Sequence, residues 1–112
     1  LYLESMCDVV IIEGAGGLYT PLDGEMMIVD LIDMLNAATL LVTHCSLGCI
    51  NDTLLSKELL KKHNIRELTV FNCVGSDDNF NSVSKPYFDH IGIATVMVNR
   101  DIDTICDVLY NL

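Results

Sequence analysis

Short apolar runs alternate with amphipathic stretches along the whole chain. The run from Val9 to Ile12 is fully apolar and β-branched, and it predicts a buried strand over residues 6–12. Similar runs predict three further strands, over residues 39–43, 68–71 and 93–98. The segments between and after these strands are polar or have helical periodicity, so the chain reads as strands that alternate with helices.

Apolar residues recur at helical spacing in the intervening segments. One stripe covers 25–35, a second covers 49–63 with Leu54, Leu55, Leu59 and Leu60, and a third covers 101–112. A shorter helix is expected over 82–90, with Ser82 or Ser84 as its cap and Pro86 in its first turn. Polar, glycine-containing loops are expected over 14–23 and 75–81.

The order of these elements is strand then helix, four times over. Crossover helices between apolar strands indicate a parallel sheet with helices on both faces, so the predicted fold class is α/β. Ligands of open α/β sheets bind beyond the carboxyl ends of the strands. Residues that follow the predicted strands are therefore the first candidates for function.

Composition narrows the classes of function. The 112 residues include sixteen acidic and six basic side chains, a net charge of −10 that argues against a nucleic-acid partner. The apolar runs are of strand length and no leader is recognisable, so we expect no membrane partner and a cytoplasmic location. The chain starts at Leu1 rather than at Met, as part of a longer protein would.

The cysteine pattern favours free thiols. The five cysteines are an odd number, and most lie in or beside apolar runs, which predicts buried, reduced side chains in a reducing cytosol. Cys45 and Cys49 are four residues apart, but no second pair completes a zinc set. His44 does not complete one either, because adjacent strand residues point to opposite faces.

A carboxylate and a glycine turn follow the first predicted strand. In Glu13-Gly14-Ala15-Gly16-Gly17 the acid could hold Mg²⁺, and the glycines would let the backbone approach a ligand closely. The alternative is an ordinary turn. The dinucleotide fingerprint is excluded, because its third glycine would fall at Tyr19.

Two more polar segments follow predicted strands. The segment from Ser46 to Thr53 opens a helix, and free backbone N–H groups there can bind an anion without a basic side chain. Asn72 could read a purine edge. The alternatives are helix capping by Ser46 or Asn51 and a turn-forming role for Asn72.

These segments together resemble the carboxyl-terminal half of the dethiobiotin synthetases. The match rests on the segments Val10–Leu18, Pro21-Leu22 and Leu47–Leu55, and on their order and spacing. The family's phosphate loop precedes this region, and no Gly-x-x-x-x-Gly-Lys-Ser/Thr occurs in the chain. The resemblance implies that residues 1–112 are the carboxyl-terminal portion of a single P-loop NTPase-like domain.

The resemblance also implies an activity and a partner. The expected reaction is the ATP- and Mg²⁺-dependent closure of 7,8-diaminopelargonate with CO₂ to dethiobiotin, a ligase step of biotin synthesis. The expected partners are a second copy, in a homodimer with the substrate site at its interface, and the amino-terminal segment of the same protein. Without that segment we expect the chain to be inactive.

Site residues follow from the resemblance position by position. Glu13 is the expected catalytic acid and metal ligand. The nucleotide would contact Glu13, Gly14, Ala15, Gly16, Asn72, Val98 and Asn99. The diamine substrate would contact Gly17, Gly48, Cys49, Ile50 and Asn51. Two alternatives stay open: a related ATP-dependent amide ligase, and a non-catalytic binding or dimerisation module derived from the family.

Overall fold

Three parallel strands form the sheet, in the order β1 (Thr39–His44), β2 (Glu67–Asn72) and β3 (Val96–Met97). The computed structural model describes residues 2–75 and 78–112. β1 pairs with β2 in register over its whole length, from Thr39 opposite Glu67 to His44 opposite Asn72. The expected α/β fold with a parallel sheet is therefore confirmed.

Helix α1 (Ile28–Leu35) precedes the strands. Helices α2 (Cys49–Lys62) and α3 (Lys85–His90) connect them, and α4 (Ile102–Tyr110) follows β3. A 3₁₀ turn covers Leu3–Ser5, and a turn of π-helix, Phe80–Ser84, leads into α3. Among the described residues, no helix is long and apolar enough to cross a membrane.

Both faces of β2 are covered. Val70 and Phe71 point to opposite faces, and neither has any exposed side-chain surface. Phe71 packs in a cluster with Phe80 and Phe88, whose ring centroids each lie 5.0 Å from its own. Cys49 joins the same cluster, so the core lies directly beneath the first turn of α2.

The strand predicted over residues 6–12 is absent. This segment is irregular, and the Ile11 side chain is 90 % exposed. Among the described residues, no segment pairs with it. A strand exists only where a neighbour accepts and donates its hydrogen bonds, so the apolar run alone does not form one.

The start of α1 also differs from its prediction. The stripe predicts a helix from Glu25, but α1 begins at Ile28. The Asp23 carboxylate accepts the backbone N–H bonds of Glu25 and Met26, both at 2.8 Å, and Met27 is extended. These bonds hold the preceding residues in a turn. The predicted end is confirmed, because Asn36 adopts the left-handed conformation that closes the helix.

After β2, the structure has a shorter strand and a longer helical segment than the sequence predicts. The strand expected over 93–98 is reduced to Val96–Met97, because the Asp101 carboxylate accepts the Met97 N–H at 2.7 Å and turns the chain. The loop expected over 75–81 lies partly outside the described residues, and its Phe80 begins the π-helical turn instead. No side chain caps α3, although Pro86 is in its first turn as predicted.

Helix α2 follows its predicted bounds closely. It packs on β1, and the hydroxyl oxygens of Thr43 and Thr53 lie 2.7 Å apart between them. Leu60 is fully buried, whereas Leu55 is 63 % exposed although the spacing places it on the apolar stripe. The face that α2 buries is therefore narrower than its leucines suggest.

The free-thiol prediction is wrong for two of the five cysteines. Cys45 and Cys73 follow β1 and β2 directly, and they form a disulfide with their Cα atoms 5.0 Å apart. The in-register pairing of the two strands brings these positions side by side. Cys7 and Cys106 are free but exposed, so only Cys49 is both free and buried.

Candidate functional site

At the carboxyl edge of the sheet, the predicted site residues Asn72 and Val98 lie close to the polar side chain of His44. Asn72 lies opposite His44 in the β1–β2 pair. On its other side the Val98 N–H donates to the Phe71 carbonyl at 3.0 Å, one position past the pairing of Phe71 with Met97. Asn72 and Val98, both predicted to contact nucleotide, are therefore neighbours. Asn99 follows in an exposed turn.

The loop after β1 delivers the predicted substrate segment. Gly48 has φ +92°, a left-handed conformation that favours glycine, and it is the N-cap of α2. No side chain caps this end, so the capping roles considered for Ser46 and Asn51 are absent. The Cys49 N–H donates to the Ser46 carbonyl at 3.1 Å, and the other backbone N–H groups at the helix start point out of its end, where they can bind an anion.

Cys49 and Asn51 differ in what they can offer a ligand. The Cys49 side chain is buried, its thiol donates to the Ser84 hydroxyl at 3.4 Å and its N–H donates to the Ser46 carbonyl at 3.1 Å, so both of its donors are already used within the chain. Asn51 is exposed, and its amide nitrogen lies 3.4 Å from an Asp52 carboxylate oxygen. Asn51 is therefore the accessible side chain of the segment.

His44 links the loop to the helix. Its Nδ1 lies 2.6 Å from the Ser46 hydroxyl oxygen, and its Nε2 lies 2.8 Å from Asp52 Oδ2. The hydrogen bond from His44, and then that from Asn51, lowers the pKa of the Asp52 carboxyl. Asp52 is thus an anion in the first turn of α2, paired with the imidazole.

The glycine turn is attached to the start of α1. The Ile28 N–H donates to the Thr20 carbonyl and the Val29 N–H to the Leu18 carbonyl, each at 3.0 Å. Gly16 has φ +79°, and a Cβ there would come within 2.4 Å of the Thr20 hydroxyl oxygen. Only glycine fits this turn.

The neighbouring positions of that turn are open. A Cβ at Gly17 would meet nothing within 4 Å, and Ala15 and Glu13 are exposed. Gly14 packs on the Ile28 side chain. A ligand can therefore approach the backbone of the turn, and the Glu13 carboxylate faces solvent rather than the core.

The two halves of the predicted site are not joined by direct bonds. Over residues 2–75 and 78–112, no hydrogen bond or ion pair links the 13–17 turn to the 48–51 segment or to Asn72. The sheet edge thus brings Asn72, Val98 and the start of α2 close together. Among the described residues, no direct bond connects the 13–17 turn to them.

Glu13 fits a magnesium ion only as a partial ligand set. Mg²⁺ usually keeps several waters and takes one or two carboxylates together with substrate phosphates. One exposed carboxylate is compatible with that arrangement. The described part of the chain contains no group of three His, Cys, Asp or Glu residues that could hold a metal by itself.

A surface cavity of about 380 Å³ lies beside the edge. Its walls include apolar Val42 and Val74 and polar His44, Asp52 and Asn72. A cavity of about 510 Å³ lies at the start of β2, beside Arg66. In the larger cavity Lys57 is already paired with Glu67, so the smaller cavity is the better candidate for a ligand site.

Sequence reasoning missed three features of this edge. His44 was considered only as a metal ligand, and Asp52 only as part of a helix start. The Cys45–Cys73 bond was not foreseen. The signal available was the parallel pairing itself, because aligning β1 with β2 puts 44 and 45 beside 72 and 73.

The parallel sheet and its helices define an α/β fold with a polar carboxyl edge, and the family match assigns it to the P-loop NTPase-like class. A family model described as "AAA domain" matches residues 1–105. The chain belongs to this AAA-domain family.

The curated relatives include several enzymes named dethiobiotin synthetase. The chain is 43 % identical over 89 residues to the ATP-dependent dethiobiotin synthetase BioD of Sulfurovum sp. (strain NBC37-1), covering 80 % of this chain and 42 % of that protein. It is 43 % identical over 82 residues to the same enzyme of Helicobacter pylori (strain 26695), covering 73 % and 38 %. The match to the Francisella tularensis (strain WY96-3418) enzyme is 39 % identical and covers 84 % and 51 %.

These matches confirm the resemblance to the dethiobiotin synthetases. The chain spans about two fifths of the length of the first two relatives, and about half of the third.

Proposed function

We propose that residues 1–112 are the carboxyl-terminal portion of one P-loop NTPase-like domain that forms dethiobiotin from 7,8-diaminopelargonate and CO₂. The observation that carries this proposal is the match to enzymes named ATP-dependent dethiobiotin synthetase, over most of this chain. The uncapped start of α2 supports it, because the diamine has an apolar tail that ends in a carboxylate.

The substrate tail is held at the start of α2 in this proposal. The backbone N–H groups of Gly48, Ile50 and Asn51 donate to the tail carboxylate, Cys49 lies between them, and the Asn51 amide adds a side-chain donor. The chain is poor in bases, so helix N–H groups are a fitting anion site. Gly17, with open space above it, leaves room for the diamine end.

Nucleotide and metal occupy the remaining predicted positions. Bound ATP with Mg²⁺ supplies the phosphoryl group that activates the carbamate for ring closure. Glu13 holds the cation, and the backbone from Gly14 to Gly16 passes the phosphates. Asn72 offers a paired donor and acceptor to the base, beside Val98 and Asn99.

A homodimer would complete the site. Leu47 precedes the proposed carboxylate segment, and its side chain is as exposed as in an extended peptide. A second copy that covers this leucine would exclude water from the tail of the substrate. The proposal therefore divides one pocket between two protomers.

The amino-terminal segment with the phosphate loop is the second partner. Phosphoryl transfer depends on positioning and charge neutralisation, which the loop lysine and threonine supply in P-loop enzymes. The chain contains no such loop motif. We therefore propose that the 112-residue chain does not turn over and that the longer protein is the enzyme.

The test is turnover by the complete protein. With ATP, Mg²⁺, bicarbonate and 7,8-diaminopelargonate, we expect dethiobiotin by mass spectrometry and an equal amount of released phosphate. Asn51→Ala should mainly raise the KM for the diamine, whereas Asn81→Ala, an exposed amide on the π-helical turn, should leave it unchanged.

The same assay separates the alternatives. Phosphate release that depends on another amino acid, without dethiobiotin, would favour a related amide ligase. No stimulated phosphate release by the complete protein would favour the non-catalytic module. Product from the isolated 112-residue chain would contradict the need for the amino-terminal segment.

A further inference from the structure

The proposed carboxylate site contains a charge that opposes it. Asp52 lies in the first turn of α2, and its Oδ2 would be 3.9 Å from a Cβ placed on Gly48. A carboxylate this close to the position of a Gly48 Cβ repels an incoming carboxylate. The site therefore needs a compensating positive charge close to Asp52.

His44 is placed to supply that charge. Its Nε2 lies 2.8 Å from Asp52 Oδ2, and its Nδ1 lies 2.6 Å from the Ser46 hydroxyl oxygen. Both contacts are compatible with a protonated imidazole, which donates from Nε2 to the carboxylate and from Nδ1 to the hydroxyl. The two bonds also fix the loop from Ser46 to Gly48 against the helix.

Few other ionisable groups face the imidazole. The adjacent position on β2 is Asn72, which does not ionise, and Cys45 and Cys73 are joined in a disulfide. Among the described residues that line the edge cavity, His44 and Asp52 are the ionisable side chains. The charge state at the start of α2 thus depends chiefly on this pair.

We propose that His44 is a positioning residue for the substrate carboxylate, which acts by neutralising Asp52 and holding the Ser46–Gly48 loop. This inference rests on the proposed function and adds to it a specificity determinant outside the 48–51 segment. Because the effect falls on binding of the tail, it should appear in the KM for the diamine and not in kcat.

Three variants of the complete protein test the role: His44→Gln, Asp52→Asn and the double variant. His44→Gln leaves Asp52 unpaired and should raise the KM for 7,8-diaminopelargonate roughly three- to five-fold, the size expected for an exposed ion pair, with kcat within about two-fold. Asp52→Asn removes the repelling charge and should keep the KM at or below the wild-type value. The double variant should return to the Asp52→Asn value.

A matched control exists elsewhere on the chain. His63 makes a similar pair with Asp33, at 3.4 Å, far from the edge of the sheet where β1 ends. His63→Gln should leave the KM unchanged. If His44→Gln does not fold, His44→Asn, which keeps a donor near the position of Nδ1, takes its place in the same series.

The outcomes separate this inference from the proposed function. If the wild-type protein forms no dethiobiotin, the proposed function and this inference both fail. If it does form dethiobiotin, an unchanged KM in His44→Gln overturns the positioning role alone. A double variant as impaired as His44→Gln does the same, because only a charge effect predicts recovery.

A spectroscopic readout checks the ion pair in the complete protein. The Asp52 carboxyl carbon, followed by NMR, should titrate at a higher pH in His44→Gln than in the wild type. An identical titration curve in both proteins would overturn the compensation on which the proposal depends.

Discussion

Thr43 and Thr53 share a buried hydrogen bond, with their hydroxyl oxygens 2.7 Å apart where β1 packs against α2. Replacing one partner leaves the other hydroxyl buried without a partner, so Thr53→Val should lower the free energy of unfolding by about 1–3 kcal/mol. The double variant Thr43→Val/Thr53→Val should lose much less than the sum of the single losses. Urea denaturation measures all three, and strictly additive losses would contradict the bond's importance.

Two leucines of α2 should differ sharply in their effect on stability. Leu60 is fully buried, so Leu60→Ala should cost about 2–5 kcal/mol in unfolding free energy. Leu55 is 63 % exposed, so Leu55→Ala should stay within about 0.5 kcal/mol of wild type. Equal losses in the two variants would mean that α2 buries the face its leucine spacing suggests.

Glu13→Gln tests the proposed metal ligand. The side chain is exposed, so the nearly isosteric amide should leave the thermal unfolding temperature unchanged. In the complete protein it should raise the Mg²⁺ concentration needed for half-maximal turnover, because an amide oxygen is a weaker ligand than a carboxylate. Glu25→Gln, at another exposed acid before α1, is the control, and equal Mg²⁺ dependence in both variants would remove Glu13 from the site.

The turn before α1 should depend on pH. The backbone N–H bonds from Glu25, then Met26, lower the pKa of the Asp23 carboxyl. A lowered pKa means that the turn is stabilised above the ordinary Asp range, about 3.9, and that this contribution is lost as the pH falls through the lowered value. NMR titration of the Asp23 carboxyl carbon should therefore give a midpoint below about 3.9, and a higher midpoint would contradict the bonds.

The Cys45–Cys73 bond should be detectable and stabilising. Peptide mapping without reductant should find these two cysteines linked, with Cys7 and Cys106 open to alkylation. The linked positions are 28 residues apart, so reduction should lower the free energy of unfolding by about 2–4 kcal/mol. Cys106→Ser is the control, and a reduced chain of unchanged stability would contradict this prediction.

The pattern of apolar and polar residues along the chain predicted the middle of the fold well. The elements from α1 to β2 lie within a few residues of their predicted bounds, because the β-branched runs and leucine stripes of this region pack on each other within the chain. Residues 6–12 show the limit of that reasoning. An apolar run indicates that a strand is favourable. Whether the strand forms depends on a neighbouring strand, which the pattern of residues alone does not reveal.

The site was predictable where it depends on strand order. Asn72 is the last residue of β2 and Val98 directly follows β3, its parallel neighbour, so their proximity follows from topology. The contacts of His44 with Ser46 and Asp52 were not predictable in this way. They depend on the left-handed turn at Gly48, which bends the loop so that one imidazole reaches both side chains.

β2 pairs in register with a strand on each side, and this fixes how the domain can vary in length. Side chains alternate between faces, so deleting a single residue such as Val70 would exchange the faces of its neighbours across the cut. The Asn72 amide would then turn toward the aromatic cluster, and the Phe71 ring would turn to the opposite buried face, where only the smaller Val70 side chain packs. A change of one residue in length is therefore easier to accommodate in the loops around β2 than within the strand itself.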